Sequence, residues 1–256
     1  MIEIVLPQSP AEWLAVIAAL VTLAIGLGFF LAPRIVLARM GLSGSPAHPE
    51  AVGEGRSSFA GFLIGLPVSA LLFGQPDIHA AIGLAWLLAS GGKIINIVVD
   101  GARSMSVLVR LALATALAAI CFWHYGLPEF AFAVPQLRAD WLVDAVAAIT
   151  LLFGLISLAL PGTALSIMRM APVDVGSVGE VRGALAGFYL ATGAVVLGGG
   201  SVLMALALGV CWIMTGFGRM IAMLSDRANN VFNWLSLLFE LGLGGLVVGV
   251  VLGFIA

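Results

Sequence analysis

Charged residues are scarce in this 256-residue chain, and their scarcity excludes most soluble folds. Only 9% of the residues are Asp, Glu, Lys or Arg, whereas 62% are hydrophobic, and the mean hydropathy is +1.16. A soluble domain carries roughly 25% charged residues. So few charges cannot cover a surface that faces water, and we predict that most of the surface faces lipid. The net charge of −2 and the lack of a basic block argue against a nucleic-acid partner.

Recognisable catalytic and cofactor motifs are missing as well. The sequence lacks GxGxxG, a P-loop, CxxCH and HExxH. Its two cysteines, Cys121 and Cys211, lie in apolar runs without CxxC spacing, and its three histidines are scattered. We therefore predict that the chain is not an enzyme and that it holds no cofactor and no metal.

What the chain does contain is an internal repeat. Residues 53–100 and 179–226 align without a gap at a constant offset of 126, and fourteen of the 48 aligned pairs are identical. A repeat of this kind decides the architecture, so we predict two four-helix membrane repeats, over residues 1–126 and 127–256. The polar pairs shared by both copies are Glu54/Glu180, Arg56/Arg182 and Asp100/Asp226, and Lys93 matches Arg219 in charge.

Eight apolar segments are long enough to cross a bilayer as helices. A spanning helix needs about 20 mostly apolar residues, and backbone groups in hydrocarbon must be hydrogen-bonded within the segment. The predicted fold class is all-α and integral to the membrane, with eight transmembrane helices in two parallel four-helix repeats. The predicted spans are Trp13–Leu31, Ser57–Phe73, Ile78–Val99, Val107–Phe122, Trp141–Ala159, Gly183–Gly199, Val202–Leu224 and Phe232–Ile255.

Basic residues indicate the orientation. With eight spans, Arg138 is the single basic residue on the side that holds both termini, and the other ten Lys and Arg residues lie on or near the opposite side. Cytoplasmic loops carry the excess of Lys and Arg. We therefore predict a multi-pass protein of a bacterial inner (cytoplasmic) membrane with both termini on the outer, periplasmic side.

Small residues predict close helix packing in two spans. Gly183 and Gly187 open the sixth span, and Gly245, Gly249 and Gly253 form a stripe on the eighth. Helices in lipid associate by close backbone approach at such stripes. Two interpretations of the eighth-span stripe stay open, namely packing within this bundle and docking of a partner subunit.

Each repeat places the same charges near the inner ends of its second and third spans. The first-repeat charges, interpreted as structural clamps between helices, are Glu54, Arg56, Lys93 and Asp100. The second repeat adds two residues at greater depth, and its candidate polar cluster is Glu180, Arg182, Tyr189, Arg219, Asp226 and Glu240. Leu63 and Ala114 replace Tyr189 and Glu240 in the first repeat, which predicts that the deep part of the cluster exists once.

The depth of Glu240 limits its options. Tyr189 and Glu240 both lie roughly 13 Å from the predicted inner surface. A charge at the bilayer centre costs about 2.5–3.5 kcal/mol on insertion scales. Glu240 is therefore expected to pair with Arg219, to pair with Arg182, or to be protonated.

These residues carry a resemblance. Gly179-Glu180-x-Arg182-Gly183, Gly187-x-Tyr189, Gly218-Arg219, Asp226 and Glu240 together resemble a family of small four-span bacterial membrane proteins known as a domain of unknown function. The second half is similar to it over about 140–255, and the first half departs at Leu63, Lys93 and Ala114. The resemblance implies a tandem duplication of that domain, and it implies no activity.

Three functions stay open on the sequence alone. The leading prediction is a structural or accessory subunit of a membrane complex, with membrane lipids and other integral membrane subunits as partners. The second is a small-solute or proton-coupled transporter in which Glu240 is the coupling carboxylate, gated by Arg219 and Tyr189, although no proline-broken helix is visible in mid-membrane. The third and weakest is a membrane enzyme acting on a lipid or quinone, with Tyr189 and Glu240 exchanging a proton.

Overall fold

The described residues form helices, one short pair of strands and the loops that connect them. The computed structural model describes residues 7–132, 134–135 and 137–255. Within these residues, eight helices are long and apolar enough to cross a membrane, which is the architecture of a multi-pass membrane protein. In chain order the elements are α1 (Pro10–Leu31), α2 (Pro33–Arg39), β1 (Leu42–Gly44), a 3₁₀ helix (Pro49–Gly55), α3 (Ala60–Phe73), α4 (Pro76–Val99), α5 (Met105–Tyr125), α6 (Arg138–Ala159), α7 (Pro161–Ile167), β2 (Met170–Pro172), α8 (Val175–Glu180), a π-helix (Val181–Leu185), α9 (Ala186–Leu197), α10 (Val202–Ser225) and α11 (Val231–Val251).

The eight predicted spans are confirmed, but two of them begin eight residues earlier than hydropathy indicated. The second membrane segment covers Pro49–Phe73, and the sixth covers Val175–Leu197. The added turns contain Glu54 and Glu180. A charged residue lowers the mean hydropathy of its turn, so these turns were not assigned to the spans. They can nevertheless lie inside the bundle because each carboxylate is paired with a cation there. The side chain of Arg138, the single basic residue predicted on the outer side, lies outside the described part of the structure.

Local sequence signals define where the helices begin. Proline stands in the first turn of α1, α2, α4 and α7, where its missing N–H breaks no helical hydrogen bond. Other helices begin after a side chain that accepts a hydrogen bond from a backbone N–H in the first turn. These capping side chains are Ser9, Ser104, Asp174, Ser201 and Asn230.

Four membrane segments form the centre of the bundle, and four lie around them. In the segments that contain α3, α4, α9 and α10, between 50% and 83% of the most apolar stretch is buried, against 22% to 33% in α1, α5, α6 and α11. The outer helices expose large apolar side chains, among them Trp13, Leu152 and Leu238. Such extensive apolar exposure is unfavourable in water and suits a surface that faces lipid tails.

The central helices pack across the two halves of the chain. α3 packs along α10, and α4 packs along α9. An added Cβ at Gly92 would overlap the carbonyl oxygen of Arg182, and one at Gly218 would overlap that of Arg56. Both carbonyls lie where the helix is irregular, in the turns at 56–59 and in the π-helix. Glycine is therefore needed at both positions, because irregular backbone from the other half approaches there.

Loops from the two halves also contact each other. β1 pairs antiparallel with β2, and Ser43 lies opposite Ala171 at the middle of the pair, a contact that hydropathy did not indicate. Where α10 begins, the backbone N–H of Ser201 donates a 2.7 Å hydrogen bond to a carboxylate oxygen of Asp77 in the first turn of α4. The halves are thus joined through their loops as well as through the central helices.

The packing role predicted for Gly183 and Gly187 agrees with their surroundings. Both lie against α4, where an added Cβ at Gly187 would overlap the carbonyl oxygen of Ala85. At Gly183 the added Cβ would lie 3.2 Å from the carbonyl oxygen of Ala89. The close backbone approach of α9 to α4 therefore depends on these glycines.

The glycine stripe predicted on the eighth span is wrong as a packing surface within this bundle. Among the described residues, an added Cβ at Gly245 or Gly253 would meet nothing within 4 Å, and one at Gly249 would meet only Ile255 of the same chain end. The close contact is made by Gly244, whose added Cβ would lie 2.8 Å from a carbonyl oxygen of α10. The prediction misses the contacting glycine by one residue, because residue spacing alone does not determine how a helix is rotated about its axis.

Candidate functional site

A buried arginine on α10 organises a polar group at the centre of the bundle. The Nε of Arg219 donates to both carboxylate oxygens of Glu240, at 2.9 and 2.8 Å, and its Nη2 donates to Glu240 at 2.6 Å. Its Nη1 donates to Glu54 and to Asn233, both at 2.7 Å, and its Nη2 also reaches Glu54 at 3.1 Å. The guanidinium has five N–H groups, and this arrangement provides acceptors for all of them. We call these four residues the Arg219 cluster.

The two carboxylates of the Arg219 cluster are held differently. Glu54 also accepts hydrogen bonds from the hydroxyls of Ser57 and Ser58, at 3.2 and 2.6 Å. Among the described residues, every hydrogen bond to Glu240 comes from Arg219. Glu54 is therefore the fixed partner of the guanidinium, and Glu240 is the carboxylate that keeps free acceptor capacity.

A second buried group has the opposite composition. Oε1 of Glu180 lies 2.7 Å from the Lys93 ammonium and 2.8 Å from Nε of Arg110. Lys93 and Glu180 are almost completely buried. One carboxylate thus faces two cations here, whereas one guanidinium faces two carboxylates in the Arg219 cluster. The difference comes from the fourth helix of each half, since α5 supplies Arg110 and α11 supplies Glu240.

The remaining repeated charges form two further ion pairs nearer the helix ends. Nε of Arg56 lies 2.7 Å from a carboxylate oxygen of Asp226, and the Arg56 guanidinium also donates to the carbonyl oxygen of Phe30. Nε of Arg182 lies 3.6 Å from Asp100. All four repeated acid–base pairs therefore join a residue of 1–126 to a residue of 127–256.

The structure separates the six residues that sequence reasoning grouped together. Tyr189, Arg219 and Glu240 lie at one site, but Glu180 and Arg182 belong to ion pairs with the first half, and Asp226 pairs with Arg56. Their place beside Arg219 is taken by first-half Glu54, which was interpreted as a structural clamp, and by Asn233, which sequence reasoning missed. The repeat could have indicated this pairing between halves, because acidic and basic residues that are present in both copies can pair between the copies as well as within one copy.

Tyr189 makes contacts that were not expected for a gate or a proton donor. Its ring stacks on Phe62 with 4.0 Å between centroids. Its hydroxyl donates a 3.3 Å hydrogen bond to the carbonyl oxygen of Ser58. The hydroxyl therefore supports the irregular turn of the second membrane segment beside Glu54.

The Arg219 cluster forms one wall of a cavity of about 420 Å³. A volume of this size accommodates a small organic molecule. Helices α6, α7, α9, α10 and α11 and the start of the second membrane segment enclose it. Its lining residues are Glu54, Ser58, Phe153, Ile156, Ser157, Ala164, Ile167, Met168, Leu185, Tyr189, Trp212, Arg219, Phe232, Leu235, Ser236, Phe239 and Glu240.

Four aromatic rings stand together along the cavity. The Trp212 ring lies edge-on to Phe153, Tyr189 and Phe239, with 5.8 to 6.1 Å between centroids. Its indole N–H is taken up by a 2.9 Å hydrogen bond to Thr150. Trp212 therefore presents only its aromatic surface to the cavity.

The cavity opens at the side of the bundle, beside α11. Leu235 and Phe239 both line it, although they are 63% and 43% exposed. Ile167 of α7 lines it too and is 46% exposed. These apolar side chains stand on a surface suited to lipid, so the mouth of the cavity is apolar.

The chemistry of the site follows from its charges. Two carboxylates and one guanidinium carry an excess of one negative charge when all three are ionised. A buried charge without compensation is costly, so the site favours a proton on Glu240 or a bound cation beside it. Comparisons with protein-family models, with curated proteins and with solved structures found no match for this chain.

Proposed function

We propose that this chain is a small-solute transporter of a bacterial inner membrane, with its substrate site in the cavity beside the Arg219 cluster. The observation that carries the proposal is a cavity with an apolar mouth beside α11 that ends on a carboxylate, Glu240, with free acceptor capacity. Ionisable residues within membrane segments are functional candidates because their burial is costly. Glu240 would exchange a proton for the substrate in each cycle.

The proposed architecture is two parallel four-helix repeats around a common centre. Supporting this arrangement, Glu54 pairs with Arg219 and Glu180 pairs with Lys93, so equivalent positions exchange partners. The strand pair centred on Ser43 and Ala171 repeats the exchange in the loops. Parallel repeats with a site at their interface are a known plan for transporters. The proposed orientation follows the basic residues and places both termini in the periplasm.

Irregular backbone near the site supports the transport proposal. Sequence reasoning found no proline-broken helix, but the turns at 56–59 and the π-helix Val181–Leu185 interrupt the second helix of each half. Ser58 and Leu185 of these interruptions line the cavity. Non-α backbone at membrane depth is tolerated where it is buried or lines a cavity, and π-helical turns are frequent at functional sites.

The accessory-subunit role stays a prediction. Gly245 and Gly253 of the predicted stripe meet no described residue, so docking of a partner subunit on this face stays open. The cavity beside the Arg219 cluster is the observation that favours transport over this role.

The test is solute-dependent proton movement in proteoliposomes that contain a trapped pH indicator. The solutes are a panel of amino acids, organic acids, sugars and organic amines. We expect at least one class to drive proton flux with the wild-type protein, and we expect the flux to be lost in Glu240→Gln. Asp140→Asn, which changes an exposed carboxylate on α6, is the control and should keep the flux. Absence of flux for every class overturns transport, and flux retained in Glu240→Gln overturns the role of Glu240.

A further inference from the structure

We infer that the cavity selects hydrophobic organic cations, such as quaternary ammonium or phosphonium compounds and lipophilic amines. This inference rests on the proposed function, because it names the substrate class of the same site. It depends on three features of the cavity, which are its excess of negative charge, its aromatic wall and its opening toward lipid.

The charge of the site determines the sign of the ligand. The titratable or charged side chains that face Glu240 are Arg219 on α10, Glu54 from the second membrane segment and Tyr189 on α9; the cavity linings contributed by α6 and α7 are uncharged. Arg219 already donates all its N–H groups, so an anionic ligand would have to displace a carboxylate. A cation needs no displacement, because it neutralises the excess charge beside Glu240.

The aromatic wall determines the chemical type of the cation. Trp212, Tyr189, Phe153 and Phe239 contact one another along the cavity. Aromatic faces attract cations that carry no strongly held water, and tryptophan is the most effective. A strongly hydrated metal ion requires six or more oxygen ligands, whereas this lining is mostly apolar. The site therefore suits a bulky, weakly hydrated organic cation.

The opening beside α11 determines the route. The mouth residues Leu235, Phe239 and Ile167 are apolar and exposed. Amphipathic cations concentrate in the membrane, where their apolar parts lie among lipid tails. Such a ligand can pass from lipid into the cavity without crossing water, and its charged group then lies against Glu240.

The repeat provides a control for the aromatic part of the site. Trp86 corresponds to Trp212 and makes the matching 2.9 Å hydrogen bond from its indole N–H to Thr22, but it stands outside the cavity lining. A Trp86→Leu variant therefore loses the same kind of indole–threonine hydrogen bond as Trp212→Leu and leaves the proposed site intact.

The experiment measures binding of two probes by calorimetry to the full chain in lipid nanodiscs, with empty nanodiscs subtracted. Tetraphenylphosphonium and tetraphenylborate have nearly the same size and shape and opposite charge. We expect saturable binding of tetraphenylphosphonium, weakened about tenfold or more by Trp212→Leu and at least about 30-fold by Glu240→Gln, with little change in Trp86→Leu. The affinity of the wild-type protein for tetraphenylphosphonium should also fall as the pH is lowered, because protons compete with the cation for Glu240. This measurement needs no variant.

The outcomes separate this inference from the proposed function. Binding of tetraphenylborate instead of tetraphenylphosphonium would overturn the cation class and identify Arg219 as the ligand group. Proton flux driven only by anionic or neutral solutes, without phosphonium binding, would overturn the class and leave transport standing. Phosphonium binding that depends on Glu240, without any coupled flux, would keep the class and overturn transport. Equal weakening by Trp86→Leu and Trp212→Leu would overturn the aromatic site.

Discussion

Arg219 and Glu54 are 165 positions apart in the chain and meet inside the bundle through two hydrogen bonds, of 2.7 and 3.1 Å. Glu54 belongs to the first half and Arg219 to the second. The guanidinium is shared with Glu240 from α11, so one cation holds three membrane segments together. Removing it leaves two buried carboxylates without the cation that compensates their charge.

Replacing this arginine is therefore expected to destabilise the protein strongly. Arg219→Ala should lower the free energy of unfolding by about 3–5 kcal/mol, the usual cost of breaking a buried ion pair from one side. Unfolding in mixed micelles, followed by tryptophan fluorescence, measures the change. Arg103→Ala, at an exposed position, is the control. Equal stability of the two variants would mean that the carboxylates are neutral or solvated without Arg219.

Two adjacent glycines of α4 should respond oppositely to the same substitution. Gly92→Ala would push a methyl group against the carbonyl oxygen of Arg182, and we expect a loss of about 1–3 kcal/mol from overpacking. Gly91→Ala meets no described atom within 4 Å and should be neutral or slightly stabilising, because alanine favours the helix. Similar melting temperatures for both variants would contradict the close contact between α4 and the π-helix.

The Glu180 pair can be tested with a double-mutant cycle. Glu180→Gln should cost more than Lys93→Met, because it leaves two cations facing each other, whereas Arg110 still pairs with Glu180 when Lys93 is removed. We expect a coupling energy of about 0.5–3 kcal/mol between the two positions. The cycle of Glu180→Gln with Arg34→Met, an exposed site, should be additive. Additivity in the first cycle would show that the ion pair does not form in the membrane.

The proposed orientation predicts which loops react with a membrane-impermeant maleimide. Glu129→Cys should be labelled in intact spheroplasts, and Arg103→Cys only after lysis, since both positions are exposed and fall on opposite sides by the distribution of basic residues. Cys121 and Cys211 are buried and should give little background. Labelling in the reverse pattern would invert the topology without changing the bundle.

The strand pair predicts a specific cross-link between the halves. Directly opposed residues of antiparallel strands have Cβ atoms about 4.5–5.5 Å apart, close enough for a disulfide after small adjustment. Ser43→Cys with Ala171→Cys should cross-link under mild oxidation. The pair Ser43→Cys with Val173→Cys, two residues out of register, should cross-link poorly. Equal yields would mean that β1 and β2 are not held in this register.

The sequence predicted the membrane segments and the charged residues well, because apolar length and repeated polar positions are local properties. It included the pairing of Glu240 with Arg219 among three alternatives, and the structure shows that pair, but it did not predict which of the repeated charges meet. Glu180 and Arg219 were grouped because they share a repeat, but Glu180 pairs with Lys93 and Arg219 with Glu54. The partner of each charge depends on which helices are neighbours in the bundle. The central helices of one half pack against those of the other half, α3 on α10 and α4 on α9. The prediction of a close contact at Gly245, where the structure has it at Gly244, was wrong for a similar reason. The rotation of α11 about its axis is set by the helices it packs against.

Because every repeated acid–base pair joins the two halves, the first half leaves the ribosome before its partners exist. Four charged residues of the first half then stay unpaired at or near the bilayer until residues 180–226 are synthesised, namely Glu54, Arg56, Lys93 and Asp100. During that interval these charges lack their partners, which is costly in hydrocarbon. The two halves are therefore expected to depend on each other for assembly.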